Sequence, residues 1–287
     1  MNKSYVLYHA NCNDGLGAAW VAWTVLGNDA EYIPVQYGSS PPEVDDDSDV
    51  YIVDFSYPRD VLLELAGRVD KLVVLDHHKT VAEQLKGIES EVGNIEVVFD
   101  MAKCGAVIAW EYFHPAGKPG PRLLDFIQDR DLYTNKLWAT ELIAKGLPLY
   151  IKGDFRKLDN LAYHCDSSEV EFRKVLAMGE AISTFLANES EKVLSGLTGG
   201  LNFFGHQNVP VLNLAPFMAS DTLHAVLEAD VDRLYPFAVS YFDIPSEGKR
   251  IYQLRSTDDR EDVGAIAKSY GGGGHRNAAG VCVPGPA

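Results

Sequence analysis

Cysteine is scarce in this 287-residue sequence: Cys12, Cys104, Cys165 and Cys282 are scattered, with no C-x-x-C pair. That excludes a thiolate-built zinc cluster or a disulfide framework, and it fits free buried thiols in a reducing cytoplasm. Long apolar runs are missing too. No stretch approaches the roughly 20 residues that cross a bilayer, and the apolar segment before His9 is too short for a signal peptide. No membrane partner is expected. Basic charge is the third absence, with 25 Lys and Arg against 41 Asp and Glu for a net −16. Residues 1–200 carry 18 basic and 31 acidic side chains, and 201–287 carry 7 and 10. A protein that grips long nucleic acid nonspecifically needs a basic track to displace counterions. None is visible, so an anionic substrate is expected to be small, or held by metals and a few local cations.

The remaining composition, 46% hydrophobic and 23% charged, is that of an ordinary globular protein, and the length favours two domains. Residues 5–8, 50–54 and 72–75 read as strands. Helical patterns at 14–26, 59–69 and 80–86 alternate with them, which predicts a doubly wound parallel sheet. Further helices are expected at 104–113 and from Leu123 to about Asp131. Ser168-x-x-Glu171 matches a capping box that opens a long helix reaching about Leu197. Beyond it, 201–205, 209–214, 237–244 and 250–256 read as strands, with helices starting at Ser220-Asp221 and Asp262. The expected domains are 1–185 and 201–287, joined by a helical linker at 186–200. The second is a smaller α+β unit.

Candidate chemistry collects at strand ends. Asp76-His77-His78 ends the apolar run Leu72-Val73-Val74-Leu75, and ligands of open α/β sheets bind at the carboxyl ends of strands. His9 follows the first strand with Asp14 five residues on, and Asp54 ends the second. Asp129 and Asp131 lie at the end of the helix from Leu123. Each residue has a plain structural reading by itself: His9 as a half-buried histidine, Asp14-Gly15 as a turn, Asp54 as a cap. Several such residues in strand order point instead to a divalent metal site. Carboxylates with imidazole and no thiolate suit Mn²⁺, whereas Mg²⁺ and Ca²⁺ prefer all-oxygen shells.

Asp76-His77-His78 resembles the signature of the DHH phosphoesterase superfamily. The run Gly271-Gly272-Gly273-Gly274-His275-Arg276-Asn277-Ala278-Ala279-Gly280 is similar to the GGGH-x-x-AAG motif of its DHHA1 substrate domain, and Arg255-Ser256 matches the Arg-Ser lead-in. The resemblance spans nearly the whole chain. It implies a parallel-sheet DHH domain, a smaller α+β DHHA1 domain and a cleft between them. It also implies a phosphodiesterase using one or two Mn²⁺ ions, with Mg²⁺ or Co²⁺ as substitutes. The expected reaction is hydrolysis of short single-stranded RNA or DNA by two-metal activation of water, as in oligoribonucleases and RecJ-type exonucleases. A phosphatase for 3′-phosphoadenosine 5′-phosphate or a cyclic-dinucleotide phosphodiesterase is the alternative. A nucleotide-binding regulator with an impaired metal site is a third reading, and a homodimer is left open.

Carried over by residue, the resemblance implies metal ligands at His9, Asp14, Asp54, His77 and Asp129, with Asp131 in reserve. Asp54 would bridge two metals, Asp76 would orient His77, and His78 would face the phosphate or support the ligands from behind. Arg255, Ser256, Gly273, Gly274, His275 and Arg276 would bind substrate, the glycines through a nest of backbone N–H groups. Cys104-Gly105-Ala106 could offer helix N–H groups to a further phosphate, with helix packing the equal alternative. One departure stands out. In His9-Ala10-Asn11-Cys12-Asn13-Asp14-Gly15 an asparagine, Asn11 or Asn13, occupies the place of a second carboxylate, which implies a weaker second metal.

Overall fold

The computed structural model describes residues 2–36, 38–165 and 169–285. The expected capping residue Ser168 lies outside the described residues. The chain divides into two compact units, Met1–Ala181 and Ile182–Ala287, with the boundary inside one long helix.

The first unit contains five strands: β1 (Ser4–His9), β2 (Ala30–Val35), β3 (Asp49–Val53), β4 (Lys71–Asp76) and β5 (Ile95–Phe99). All pair in parallel in the order β2-β1-β3-β4-β5. Successive strand residues face opposite sides, and both sides are covered. Val6, Tyr51, Val53, Val73 and Leu75 join the core beneath α1 (Asn13–Leu26), α4 (Gly105–Phe113) and α5 (Arg122–Asp131). Tyr5, Leu7, Val50, Ile52, Leu72 and Val74 pack on the other side with α2 (Arg59–Ala66), and Leu85 of α3 (Lys79–Leu85) joins them. Burial on both faces is why β3 and β4 read as unbroken apolar runs.

Sequence patterning misses both edge strands. β2 carries Pro34, which an edge strand tolerates and a central one does not. It also misses α6 (Thr140–Ile151), whose interior holds Gly146 and Pro148, and the short α7 (Phe155–Ala162). The long helix α8 (Val170–Ser195) continues into the second unit.

The second unit holds a two-stranded ribbon of β6 (Leu201–Phe203) and β7 (His206–Val209). Its main sheet takes β8 (Val211–Asn213), β9 (Ala238–Ile244), β10 (Lys249–Arg255), β11 (Gly273–His275) and β12 (Ala278–Pro284) in the order β11-β12-β10-β9-β8. Only β8–β9 is a parallel pair. With the end of α8, the unit includes α9 (Ala219–Ala229) and α10 (Val263–Ser269), whose N-cap Asp262 accepts the Ala265 amide. Mixed strands with helices match the α+β expectation. Among the described residues no helix is long and apolar enough to cross a membrane.

Candidate metal centre

The strand order sets where ligands can gather. β1 has β2 on one side and β3 on the other, so connections leave it in opposite directions and a crevice opens at the carboxyl ends. His9 is the last residue of β1, and Asp54 follows β3 directly. Asp76 ends β4, with His77 next and His78 as the N-cap of α3. Asp14 sits in the first turn of α1. Asp54 adopts a left-handed backbone conformation (φ 63°), which a non-glycine residue accepts at a cost and which recurs at functional sites.

These side chains converge. His77 Nε2 lies 3.3 Å from Asp54 Oδ1, 3.4 Å from Asp131 Oδ2 and 3.8 Å from Asp14 Oδ2. On the other side of Asp54, Oδ2 is 3.4 Å from His9 Nδ1. Asp14 and Asp54 are each 1% exposed, so this is a cluster of interior carboxylates. Burial and the charges of Asp54 and Asp131 push the Asp14 carboxyl well above the usual range. Burial and Asp54 likewise push Asp131 up to about 6. For Asp54, burial is outweighed by the adjacent His77 and His9 imidazoles, which hold it below the usual range. Burial would lower His77, but Asp54 and Asp131 raise it.

Asp54 Oδ2, His77 Nε2 and Asp131 Oδ2 are buried without a hydrogen-bond partner, as is Asp76 Oδ2 beside them. Buried polar atoms are nearly always paired, so an unpaired cluster of ligand atoms is the signature of a place for a cation. Three donor groups overlap here, one of them Asp54, Asp76, His77 and His78. Asp14, His77 and Asp131 offer atoms within 4.8 Å of one another, and so do His9, Cys12 and Asp54. Carboxylates mixed with imidazole suit a first-row divalent ion.

The structure corrects several expectations. Asp131 stands beside His77, and Asp129 does not. Two residues on one helix differ by about 200° in direction, so the pair cannot share a target. The Asp129 carboxylate instead accepts from the amides of Lys136 (2.8 Å) and Leu137 (2.9 Å) and from the hydroxyls of Thr134 and Thr140. It fixes the turn into α6. Asp76 orients the other histidine: its Oδ1 accepts from His78 Nδ1 at 2.7 Å, while towards His77 it accepts only the backbone N–H, also at 2.7 Å. The Gly105 and Ala106 amides point to Asp14, at 2.6 and 2.8 Å, and thus brace a carboxylate where a phosphate was considered. A Cβ on Gly105 would stand 2.7 Å from Asp54 Cβ and 3.0 Å from Asp14 Oδ2. Only glycine lets the start of α4 approach this closely.

Neither asparagine is seen to replace the missing carboxylate. Asn13 donates to the Ala144 carbonyl at 2.9 Å, and Asn11 is exposed in a left-handed turn (φ 57°). Cys12, between them, is expected from sequence to be a buried free thiol and is only half-buried, beside His9 and Asp54. Its position three residues after His9 and just before the helix was the available signal. Of the other cysteines, Cys104 and Cys165 are buried, and Cys282 is exposed, contrary to expectation.

In the second unit the glycine run is largely occupied. Gly271 and Gly272 donate to Lys268 and Ala267 of α10, and Gly273 and Gly274 lie in the edge strand β11. A Cβ at Gly272 would meet Gly280 O at 2.1 Å. Close hairpin packing therefore accounts for much of the run, and a four-residue anion nest is not formed. Ser256 is buried, with its hydroxyl on the Glu261 carbonyl at 2.6 Å. Arg276 donates to the carbonyls of Asp258 and Arg260, and Arg255 to those of Leu254 and, through Nε, the Ser220 hydroxyl. His275 is exposed in β11.

No family model matches the chain. Among curated proteins it is 28% identical to uncharacterized protein R106 of Acanthamoeba polyphaga mimivirus, covering 98% of this chain and 67% of that protein. It is 23% identical to oligoribonuclease NrnB of Bacillus subtilis, covering 97% and 73%. Among solved structures, the pGpG-specific phosphodiesterase PggH from Vibrio cholerae aligns over 99% of this chain and 94% of that one, at 14% identity and a TM-score of 0.47.

Proposed function

We propose that the chain is a member of the DHH phosphoesterase superfamily and a Mn²⁺-dependent phosphodiesterase acting on short single-stranded oligonucleotides. The observation that carries this reading is the gathering of Asp14, Asp54 and Asp131 around His77 where the parallel strands end, with Asp54 Oδ2, His77 Nε2 and Asp131 Oδ2 buried and unpaired. Likeness to an oligoribonuclease over 97% of the chain supports the substrate class. The net charge of −16 favours a short substrate over a long polyanion.

Asp14, His77 and Asp131 would hold one ion, and His9 and Asp54 would contribute to a second, with Asp54 directing one oxygen to each group. A bound dication supplies acidified water and counter-charge for the phosphoryl oxygens. The protein's own contribution is positioning, which is most of what phosphoryl transfer asks of an enzyme. The amides at the start of α4 fix Asp14, and Asp76 fixes the His78 ring. Held so, His78 meets the phosphoryl or leaving oxygen. Arg255 and His275 of the second unit are the proposed substrate contacts.

The test is incubation of the full chain with Mn²⁺ and labelled RNA and DNA from dinucleotides upward, with cyclic dinucleotides and 3′-phosphoadenosine 5′-phosphate alongside. Mononucleotide release that is fastest from short single strands is expected. Preferential turnover of either nucleotide control replaces the substrate assignment, and tight nucleotide binding without turnover replaces the enzyme with a regulator.

A further inference from the structure

Two of the donor sets are unequal. Asp14, His77 and Asp131 form a carboxylate-rich set, whereas the set on the other side of Asp54 has one carboxylate, one imidazole and the Cys12 thiol, with donor atoms all within 4.8 Å. Asp54 Oδ2 faces this second set, 3.4 Å from His9 Nδ1. That oxygen is buried, unpaired, and belongs to a residue only 1% exposed. An interior, unpaired carboxylate oxygen beside the His9 imidazole is an observation independent of the cysteine.

Helix capping does not account for Cys12. It is the N-cap of α1, in extended conformation, yet its side chain makes no capping bond. Ser, Thr, Asp and Asn are the residues favoured there. The turn after β1 nevertheless holds the thiol beside His9, where a second carboxylate was expected.

We propose that Cys12 is a metal ligand, its thiolate completing a His9–Cys12–Asp54 site that selects a softer dication than the Asp14–His77–Asp131 site. The inference rests on the metal-centre reading. Thiolate ligands favour Co²⁺, Fe²⁺ or Zn²⁺ over Mn²⁺ and Mg²⁺. Forming the metal–sulfur bond replaces the S–H bond, and the proton leaves to solvent. The protein is then built for two different ions.

Cobalt titration of the metal-free full chain tests this optically, without reference to turnover. Visible d–d bands report Co²⁺ binding, and a near-ultraviolet charge-transfer band reports a cobalt–thiolate bond. Wild type is expected to show both. Cys12→Ser and Cys12→Asp place favoured capping residues at the position, so the fold is retained, as far-ultraviolet circular dichroism will show. Both should lose the charge-transfer band and keep visible bands. Cys104→Ser, the control for the neighbouring buried thiol, should keep both. Cys12→Asp should also shift relative affinity from Co²⁺ towards Mn²⁺ by about tenfold or more, the scale on which ligand-shell changes act. Visible bands without a charge-transfer band in wild type, or an unchanged band in Cys12→Ser, overturn the proposal and leave the metal centre standing. Absence of any visible band overturns both.

Discussion

Buried charge is treated in opposite ways in the two units. In the second, Asp230 and Arg260 have side chains 4% and 6% exposed, and their bonding groups are matched. Asp230 accepts from Leu234 N, Tyr235 N and Arg260, while Arg260 also donates to the carbonyls of Leu227, Asp230 and Tyr235. In the first, Asp14, Asp54 and Asp131 crowd around His77, and Asp54 Oδ2, His77 Nε2 and Asp131 Oδ2 have no hydrogen-bond partner. The lesson is that burial alone does not mark a site. A buried charge with every partner in place holds a fold together, whereas buried charges that converge and remain unpaired await a ligand.

The comparison is most directly broken at Asp54 and His77. Asp54→Ala and His77→Ala should each lower Mn²⁺-dependent kcat by on the order of 10⁴-fold. The melting temperature without metal should not fall, and the rise produced by added Mn²⁺ should vanish. Retained activity in either variant removes the metal assignment. Arg260→Ala should do the reverse. Leaving Asp230 buried without its counter-charge costs about 3–5 kcal/mol, read as loss of stability by denaturant unfolding, while calorimetry of Mn²⁺ binding by the folded protein stays unchanged.

The two aspartates of α5 sharpen the contrast within one helix. Asp129→Ala strands two hydroxyls and two amides, at a cost of about 2–4 kcal/mol. Asp131→Asn should spare stability and weaken metal binding. Burial would lift the Asp129 carboxyl, but Thr134, Thr140 and the Lys136 and Leu137 amides hold it below the usual range. Its contribution is therefore complete above the unfolded-state value of about 4 and is lost as pH falls through the lower folded value. The melting difference between wild type and Asp129→Ala should accordingly shrink in acid. Asp131 runs the other way, with a folded value near 6. Metal-free protein should lose that increment of stability as pH rises from about 4 towards the folded value, and saturating Mn²⁺ should abolish the slope. A flat wild-type profile that Asp131→Asn does not alter would count against the crowding.

Gly105→Ala gives the smallest of these effects. Its Cβ falls 2.7 Å from Asp54 Cβ, and accommodating it costs about 1–3 kcal/mol. Calorimetry should register part of this as weaker metal binding, since the methyl presses on Asp54 and Asp14.

The legible parts of the molecule were those written in local pattern. β3 and β4 announced themselves because burial on both faces leaves an apolar run, and β5 and β2 did not, because edge strands carry polar residues or proline. His9, Asp14, Asp54 and His77 could be proposed together because each stands where a predicted strand or helix begins or ends. The glycine run was legible as a special backbone, but two of its N–H groups turned out to cap α10.

Sequence by itself determined the parallel sheet, the strand-end positions of the candidate site residues and the acidity that disfavours long polyanions. Hydrophobic periodicity and charge are local properties, so these could be read residue by residue. Only the tertiary structure decided between Asp129 and Asp131, assigned Asp76 to His78, turned the α4 amides onto Asp14 and brought Cys12 beside His9 and Asp54. Those outcomes depend on which way a helix face or a turn points once its neighbours pack against it. A linear spacing does not contain that direction.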